Sequence, residues 1–135
     1  MSILFKNLNC QISYQPGSDF IEVNWFDFPK STNFKDACNA LLIFMKDLGI
    51  KKLLTNNTQV KLFSVTDQRW LNNEWLPKAE ALGYYCSATV AQEDVVVKAT
   101  ISNITNRRNS KFIAKRFTNI EDAKYWLANV KSLSS

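Results

Sequence analysis

The sequence predicts an α/β fold in which a mixed β-sheet of about four to five strands is covered by about four helices. Short apolar strands alternate with amphipathic helices along the chain. The opening strands adjoin across a tight turn, whereas the later ones are separated by helices, which indicates both antiparallel and parallel pairing. With 135 residues, 46% of them hydrophobic and 21% charged, we expect one globular domain over 1–135.

The chain opens with segments that favour strands. Residues 2–6 and 10–15 are expected to form an opening strand or a strand pair. Pro16 and Gly17 then stand at the second and third positions of a β-turn, where a fixed φ and a positive φ are favoured. Apolar and polar residues alternate over 20–28, which predicts a half-buried strand after that turn.

The first helix is predicted from an apolar stripe at three- and four-residue spacing. Asn33 is expected to cap its start, and Gly49 to close its end. The stripe consists of Phe34, Ala37, Cys38, Leu41, Met45 and Leu48.

Two short strands joined by a loop are expected next. Residues 51–55 contain a leucine pair, and residues 60–65 form a second apolar run. The intervening residues 56–59 are all polar, and they are predicted to form the loop.

The second helix contains two tryptophans and an internal proline. Ser64 or Thr66 is expected to begin it and Gly83 to end it. Pro77 has no N–H, and its ring clashes with the carbonyl of Asn73, so the helix should kink or restart there. Its apolar stripe is Leu71, Trp75, Ala79 and Leu82.

The last part of the chain repeats the strand–helix order. Residues 84–91 are expected to form a central strand, followed by a helix from about 93 to 104 and by an edge strand over 111–117. Asn119 is predicted to cap the closing helix, and residues 133–135 should fray. The stripe of that helix is Ile120, Ala123, Trp126, Leu127 and Val130.

Several short segments together resemble one family. They are Phe34-Lys35-Asp36-Ala37-Cys38, Lys52-Leu53-Leu54, Asp67-Gln68-Arg69-Trp70 with Trp75-Leu76-Pro77, and Ala123-Lys124-Tyr125-Trp126-Leu127. With these, the chain resembles the SpoIIAA-like proteins of STAS-like fold, which are relatives of anti-sigma-factor antagonists and echo Sec14-type lipid-binding domains. The resemblance implies a regulatory module that binds a protein partner and is not an enzyme.

In anti-sigma-factor antagonists, a serine near the start of the second helix, in an Asp-Ser-Ser-Gly-like loop, is phosphorylated by a partner kinase. This sequence lacks that motif, although residues 55–66 contain the hydroxyls of Thr55, Thr58, Ser64 and Thr66. We therefore expect this region to be a partner surface rather than a kinase substrate.

The candidate partner or ligand surface consists of Thr55, Asn56, Asn57, Ser64, Thr66, Arg69 and Trp70. Trp70 and Trp75 are separated by roughly 140° around an α-helix, so only one can lie centrally on the stripe. Trp75 is predicted to belong to the core. Trp70 is expected at the margin, either as partly buried packing or as an aromatic that borders a groove or contacts a partner.

No catalytic, metal or cofactor site is predicted. The sequence has no histidine, which excludes histidine-activated nucleophiles and histidine metal ligands. Cys10, Cys38 and Cys86 have no Cys-x-x-Cys spacing and are interpreted as small buried hydrophobes, with a reactive Cys10 as the one thiol alternative.

The net charge of +5 depends on a basic stretch. Between residues 95 and 120 the basic residues are Lys98, Arg107, Arg108, Lys111, Lys115 and Arg116, with no acidic residue. A solvated face is favoured over a surface for nucleic acid, acidic lipid or acidic protein, because exposed interleaved aromatics and helix-turn-helix spacing are missing.

Two function hypotheses stay open. The first is a non-enzymatic interaction module for a protein partner, and the alternative is a binder of a small apolar or lipid-like ligand in a groove between sheet and helices. Without a signal-peptide pattern or a membrane span of about 20 apolar residues, we expect a cytoplasmic protein. Homo-oligomerisation stays open.

Overall fold

One mixed sheet organises the molecule. The computed structural model describes residues 2–92 and 112–130. In these ranges six strands lie side by side in the order of the sequence. They are β1 (Ser2–Lys6), β2 (Cys10–Tyr14), β3 (Phe20–Asp27), β4 (Lys52–Val60), β5 (Cys86–Val90) and β6 (Ile113–Phe117). The first three strands pair antiparallel, and β3 to β6 pair parallel.

Helices cover both faces of this sheet. They are α1 (Ser31–Leu48), α2 (Val65–Trp70), a π-helical turn (Leu71–Trp75), α3 (Leu76–Ala81) and α4 (Ile120–Asn129). We call the side that packs against α1 and the π turn the α1 face; it includes Ile12, Val23 and Leu53. The side that packs against α4 is the α4 face, and it includes Leu54 and Ala88.

The predicted fold class is confirmed, but the sheet has six strands in its described part rather than four to five. Of the two alternatives predicted for the opening segment, the strand pair is the one that forms. The side-chain oxygen of Asn7 accepts hydrogen bonds from the backbone N–H groups of Asn9 and Cys10, at 2.8 and 2.9 Å. That turn folds β2 back along β1.

The loop predicted for 56–59 is wrong, because β4 continues through it to Val60. Its pairing with β3 passes from Asn24–Asn56 to Phe26–Gln59, so β4 has one residue more than its partner and forms a bulge. Residues 61–64, predicted as strand, contain none.

The first helix starts at Ser31, two residues before the predicted cap. Asn33 lies inside it and donates a hydrogen bond from its amide to the side-chain oxygen of Asn9, at 2.8 Å. The predicted stripe is buried up to Met45, whereas Leu48 is 40% exposed. Gly49 ends the helix with a φ of 66°, as predicted.

The kink predicted at Pro77 takes the form of the π turn. The N–H of Leu76 donates to the carbonyl of Leu71, five residues earlier, directly before the proline. This wider turn accommodates the ring and the missing N–H of Pro77. Leu71, Trp75 and Ala79 are buried, and Leu82 is half-buried.

The final elements match their predictions where they are described. All five residues of β5 are buried, and β6 is at the edge of the described sheet. The Asn119 side chain accepts hydrogen bonds from the N–H groups of Glu121 and Asp122, at 2.8 and 3.2 Å, and so caps α4. Residues 133–135 and the helix predicted near 93–104 lie outside the described residues.

Within 2–92 and 112–130, no helix combines the length and the apolar character that crossing a membrane requires. The assignment of 1–135 to a single domain stays a prediction.

Candidate functional site

The residues of the predicted partner or ligand surface do not lie together: some are in the interior and others are exposed to solvent. Thr55 and Asn57 lie in β4 and line a cavity on the α1 face. Asn56 alternates with them, is half-buried, and accepts a hydrogen bond from the Thr58 hydroxyl at 2.7 Å. These strand residues therefore do not form an exposed loop with the start of α2.

The residues from α2 remain close to the surface. Ser64 and Thr66 are exposed, and so is Arg69. The Ser64 hydroxyl accepts a hydrogen bond from the N–H of Asp67 at 3.0 Å, so Ser64, not Thr66, is the N-cap. This contact gives Ser64 a structural role.

Trp70 occupies the marginal position that was predicted. It is half-buried, and its ring lies edge-on to Phe34, with ring centroids 6.1 Å apart. The ammonium of Lys35 lies 5.6 Å from the Trp70 ring. Trp75 is only 4% exposed, and its indole N–H donates to the carbonyl of Cys38 at 2.7 Å, which confirms its core position.

A group of exposed apolar side chains lies at the carboxyl end of β3 and β4. We call it the apolar edge, and its members are Leu8, Phe28, Leu62 and Val65, between 41% and 80% exposed.

Backbone hydrogen bonds bring the segments of Leu8, Phe28 and Leu62 together, and Val65 follows Leu62 at the start of α2. The N–H of Lys61 donates to the carbonyl of Asp27 at 2.7 Å, so Phe28 and Leu62 each follow one member of that pair. The N–H of Phe26 donates to the carbonyl of Asn9 at 2.9 Å, which places Leu8 beside the same end. Sequence reasoning missed the apolar edge, although Phe28 breaks the alternation of β3 and precedes Pro29.

The cavity on the α1 face has a volume of about 80 Å³ and is lined by β3, β4, β5, α1, Phe63 and the π turn. Its polar lining comes from Thr55 and Asn57 on β4 and from Ser87 and Thr89 on β5, and Tyr84, which precedes β5, also lines it. Thr55 pairs with Thr89, so the two hydroxyl residues are neighbours across the strands. The polar positions within the otherwise apolar 86–90 segment were the available sequence signal for this lining.

Asn57 and Asp67 are buried on this side, and each has a side-chain oxygen without a hydrogen-bond partner within the described residues; the Asn72 oxygen on the π turn is a further case. Asn57 is 4% exposed, and its side-chain oxygen accepts no hydrogen bond. Asp67 is 1% exposed, and neither carboxylate oxygen has a partner. Such groups are uncommon in folded proteins because burial removes their water without replacement.

A different buried polar group lies beside α4. The ammonium of Lys52 donates to Asp19 at 2.8 Å and to the carbonyls of Leu127 and Val130 at 2.7 and 2.5 Å. These carbonyls are at the C-terminal end of α4, where a cation is favoured by the helix dipole. Lys52 therefore links β4 to the C-terminal end of α4 through hydrogen bonds.

All three cysteines are buried, as predicted. Burial raises the pKa of Cys10 to about 12 and that of Cys86 to about 11. The pKa of Cys38 is also raised well above its ordinary value, mainly by burial. A protonated, inaccessible thiol is a poor nucleophile, which argues against the reactive Cys10.

The described residues include no group of three or more His, Cys, Asp or Glu side chains arranged to hold a metal ion. Of the basic stretch, Lys115 and Arg116 are exposed on β6. Lys98, Arg107, Arg108 and Lys111 lie outside the described residues.

Comparisons with known proteins identify the fold through structure alone. No protein-family model matches the chain, and no curated protein matches it in sequence. Among solved structures, an uncharacterized DUF3478-family protein with a SpoIIAA-like fold from Shewanella loihica PV-4 superimposes with a TM-score of 0.63 and 16% identity, over 91% of this chain and 98% of that one.

Two structures of an anti-sigma factor antagonist are also similar. Unphosphorylated SpoIIAA has a TM-score of 0.61 and 8% identity, over 90% of this chain and 99% of that one. The phosphorylated form from Bacillus has a TM-score of 0.55 and 10% identity, over 87% and 98%. The chain therefore has the SpoIIAA-like, STAS-type fold that the sequence resemblance implied.

Proposed function

We propose that the protein is a non-enzymatic STAS-like interaction module that binds another protein through the apolar edge and the adjoining start of α2. The observation that supports this most strongly is the exposure of Phe28 and Val65, at 65% and 61%, on the segments that follow the paired ends of β3 and β4. Large apolar side chains grouped on a surface are typical of protein-binding sites, where a partner removes them from water.

The remaining exposed candidates lie near that surface. Ser64, Thr66 and Arg69 are all exposed near the start of α2, and they can supply the polar rim that surrounds an apolar contact. The name of one structural neighbour, an anti-sigma factor antagonist, describes action on another protein and supports the same class of function.

The alternative is a carrier of a small apolar or lipid-like ligand in the groove between sheet and helices. A drug-sized ligand occupies a pocket of about 300–1,000 Å³. The cavity on the α1 face is about 80 Å³, which makes this hypothesis the weaker of the two. Native mass spectrometry of the purified protein would support it by showing a co-purified lipophilic molecule.

Affinity capture from the native host tests the partner hypothesis. The variant Phe28→Ser/Val65→Ser removes two of the four apolar side chains of the apolar edge, and Tyr125→Ser is the control because Tyr125 is 76% exposed on α4. We expect a protein that is captured by the wild type and the control to be lost with the double variant. Equal capture by all three proteins, with unchanged melting temperatures, would contradict the proposal.

A further inference from the structure

The cavity on the α1 face combines a polar floor with apolar walls. Its floor is formed by the neighbouring strands β4 and β5, where Thr55, Asn57, Ser87 and Thr89 point to the same side. The opposite walls include Phe34, Leu71 and Trp75 from α1 and the π turn. A molecule in this cavity would contact hydrogen-bonding groups on the sheet and apolar side chains on the helices.

Asn57 is the feature that packing alone leaves unexplained. Its side chain is among the most buried polar groups, at 4% exposure, and lines the cavity with an oxygen that accepts no hydrogen bond from the described residues. A leucine of similar size would avoid the cost of burying an amide oxygen that accepts no hydrogen bond. Within the described residues, the amide oxygen is therefore left without a hydrogen-bond donor.

The β4 bulge lies at this asparagine. Pairing between β3 and β4 is regular up to Asn24–Asn56 and resumes at Phe26–Gln59, so Asn57 and Thr58 lie opposite Trp25 alone. Bulges are frequent next to binding sites, because the extra residue turns a side chain away from its regular direction. The same site is bordered on its helical side by the π turn, another irregularity common at functional sites.

The lining restricts the ligand's charge and size. Among the described residues, no charged side chain lines the cavity, so an ionic ligand would be buried without a counter-charge. The volume of about 80 Å³ is several times what one water needs and about half of an engineered cavity that binds benzene. By proportion, it holds about three or four non-hydrogen atoms.

We propose that this cavity is a binding site for a small uncharged molecule that donates a hydrogen bond to Asn57, such as a short carboxamide or alcohol. The ligand's apolar part would pack against the aromatic and leucine walls. This site is separate from the apolar edge, and the proposal does not depend on the protein-binding function. For a ligand this small, binding efficiency limits the Kd to about 40 µM or weaker.

Acetamide and acetone are matched probes. They have the same number of non-hydrogen atoms and similar planar shapes, but only acetamide has a donor. The indole N–H signals of ¹⁵N-labelled protein report the site directly, because Trp25 and Trp75 line the cavity whereas Trp126 packs on the α4 face. Tryptophan-to-phenylalanine variants assign the signals.

We expect acetamide to shift the Trp25 and Trp75 signals saturably and to leave Trp126 unchanged. Acetone should bind about fivefold or more weakly, since it cannot satisfy the amide oxygen. Asn57→Leu should abolish the acetamide response, whereas Asn24→Leu, on the opposite face of the neighbouring strand, should retain it. If Asn57→Leu does not fold, the comparison of the two probes on the wild type decides alone.

Several results would overturn the proposal. The absence of a saturable shift with acetamide would contradict binding of a small donor ligand in this cavity. Equal affinities for acetamide and acetone, or an undiminished response in Asn57→Leu, would show that Asn57 does not recognise the ligand's donor.

Discussion

Both faces of the sheet bury polar side chains, but the hydrogen bonding of these side chains differs between the two faces. On the α4 face, the Lys52 ammonium has an anionic partner, Asp19, and two carbonyl acceptors at the end of α4. On the α1 face, the Asn57 oxygen accepts no hydrogen bond from the described residues. Within the described residues, the Lys52 ammonium is hydrogen-bonded, whereas the Asn57 oxygen is not.

This difference separates a structural polar group from a candidate binding group. Removing a buried group that is hydrogen-bonded leaves its partners buried without a hydrogen bond, so the free energy of unfolding should fall. Removing a buried polar group that has no hydrogen bond removes its desolvation penalty, so the free energy of unfolding should not fall. The following four stability measurements test the contrast, beginning with the largest expected effect.

Trp75→Ala should lower the free energy of unfolding by about 3–5 kcal/mol, the usual cost of emptying a large aromatic site in the core. The hydrogen bond from its indole to the Cys38 carbonyl is lost as well. Trp70→Ala should cost much less, because Trp70 is half-buried. Chemical denaturation of both variants measures this, and equal large losses would show that Trp70 is also a core residue.

Lys52→Met should destabilise the protein by about 2–3 kcal/mol, because the Leu127 and Val130 carbonyls lose a charged donor. Asp19→Asn is the control and should cost less than about 1 kcal/mol, since its side chain is 58% exposed. Urea denaturation gives both values. An unchanged free energy of unfolding in Lys52→Met would show that the hydrogen bonds of Lys52 do not stabilise the packing of α4 on the sheet.

Ser64→Ala should cost about 1 kcal/mol, because it removes the acceptor for the Asp67 N–H at the start of α2. Thr66→Ala should change stability less, since Ser64 and not Thr66 is the cap. Thermal melts of the two variants compare them. A larger loss for Thr66→Ala would contradict the assigned start of the helix.

Asn57→Leu should have the smallest effect, between no change and a gain of about 1 kcal/mol, because a buried amide oxygen without a partner among the described residues is replaced by an apolar side chain of similar size. Its melting temperature, measured beside that of Lys52→Met, tests the contrast between the faces. A loss as large as that of Lys52→Met would mean that Asn57 stabilises the apoprotein.

The predicted surface illustrates where sequence reasoning succeeded and where it did not. Of the two predicted starts of α2, Ser64 and Thr66, the first was correct, because a helix cap depends on a serine and the N–H three residues later. The loop at 56–59 was wrong because its polar residues pair with β3 across the bulge, which no local pattern shows. Consequently, Asn57 was assigned to an exposed loop, whereas it lies in the interior.

The sequence by itself determined the alternation of elements, the apolar stripe of α1 up to Met45, the ends at Gly49 and Asn119, and the irregularity before Pro77. These features depend on hydrogen bonds and side-chain spacing within a few residues. Only the tertiary structure decided the path of β4, the cavity and the apolar edge. Leu8, Phe28 and Leu62 are far apart in the chain, and pairing between distant strands brings them together, because strand pairing satisfies backbone groups over long sequence separations.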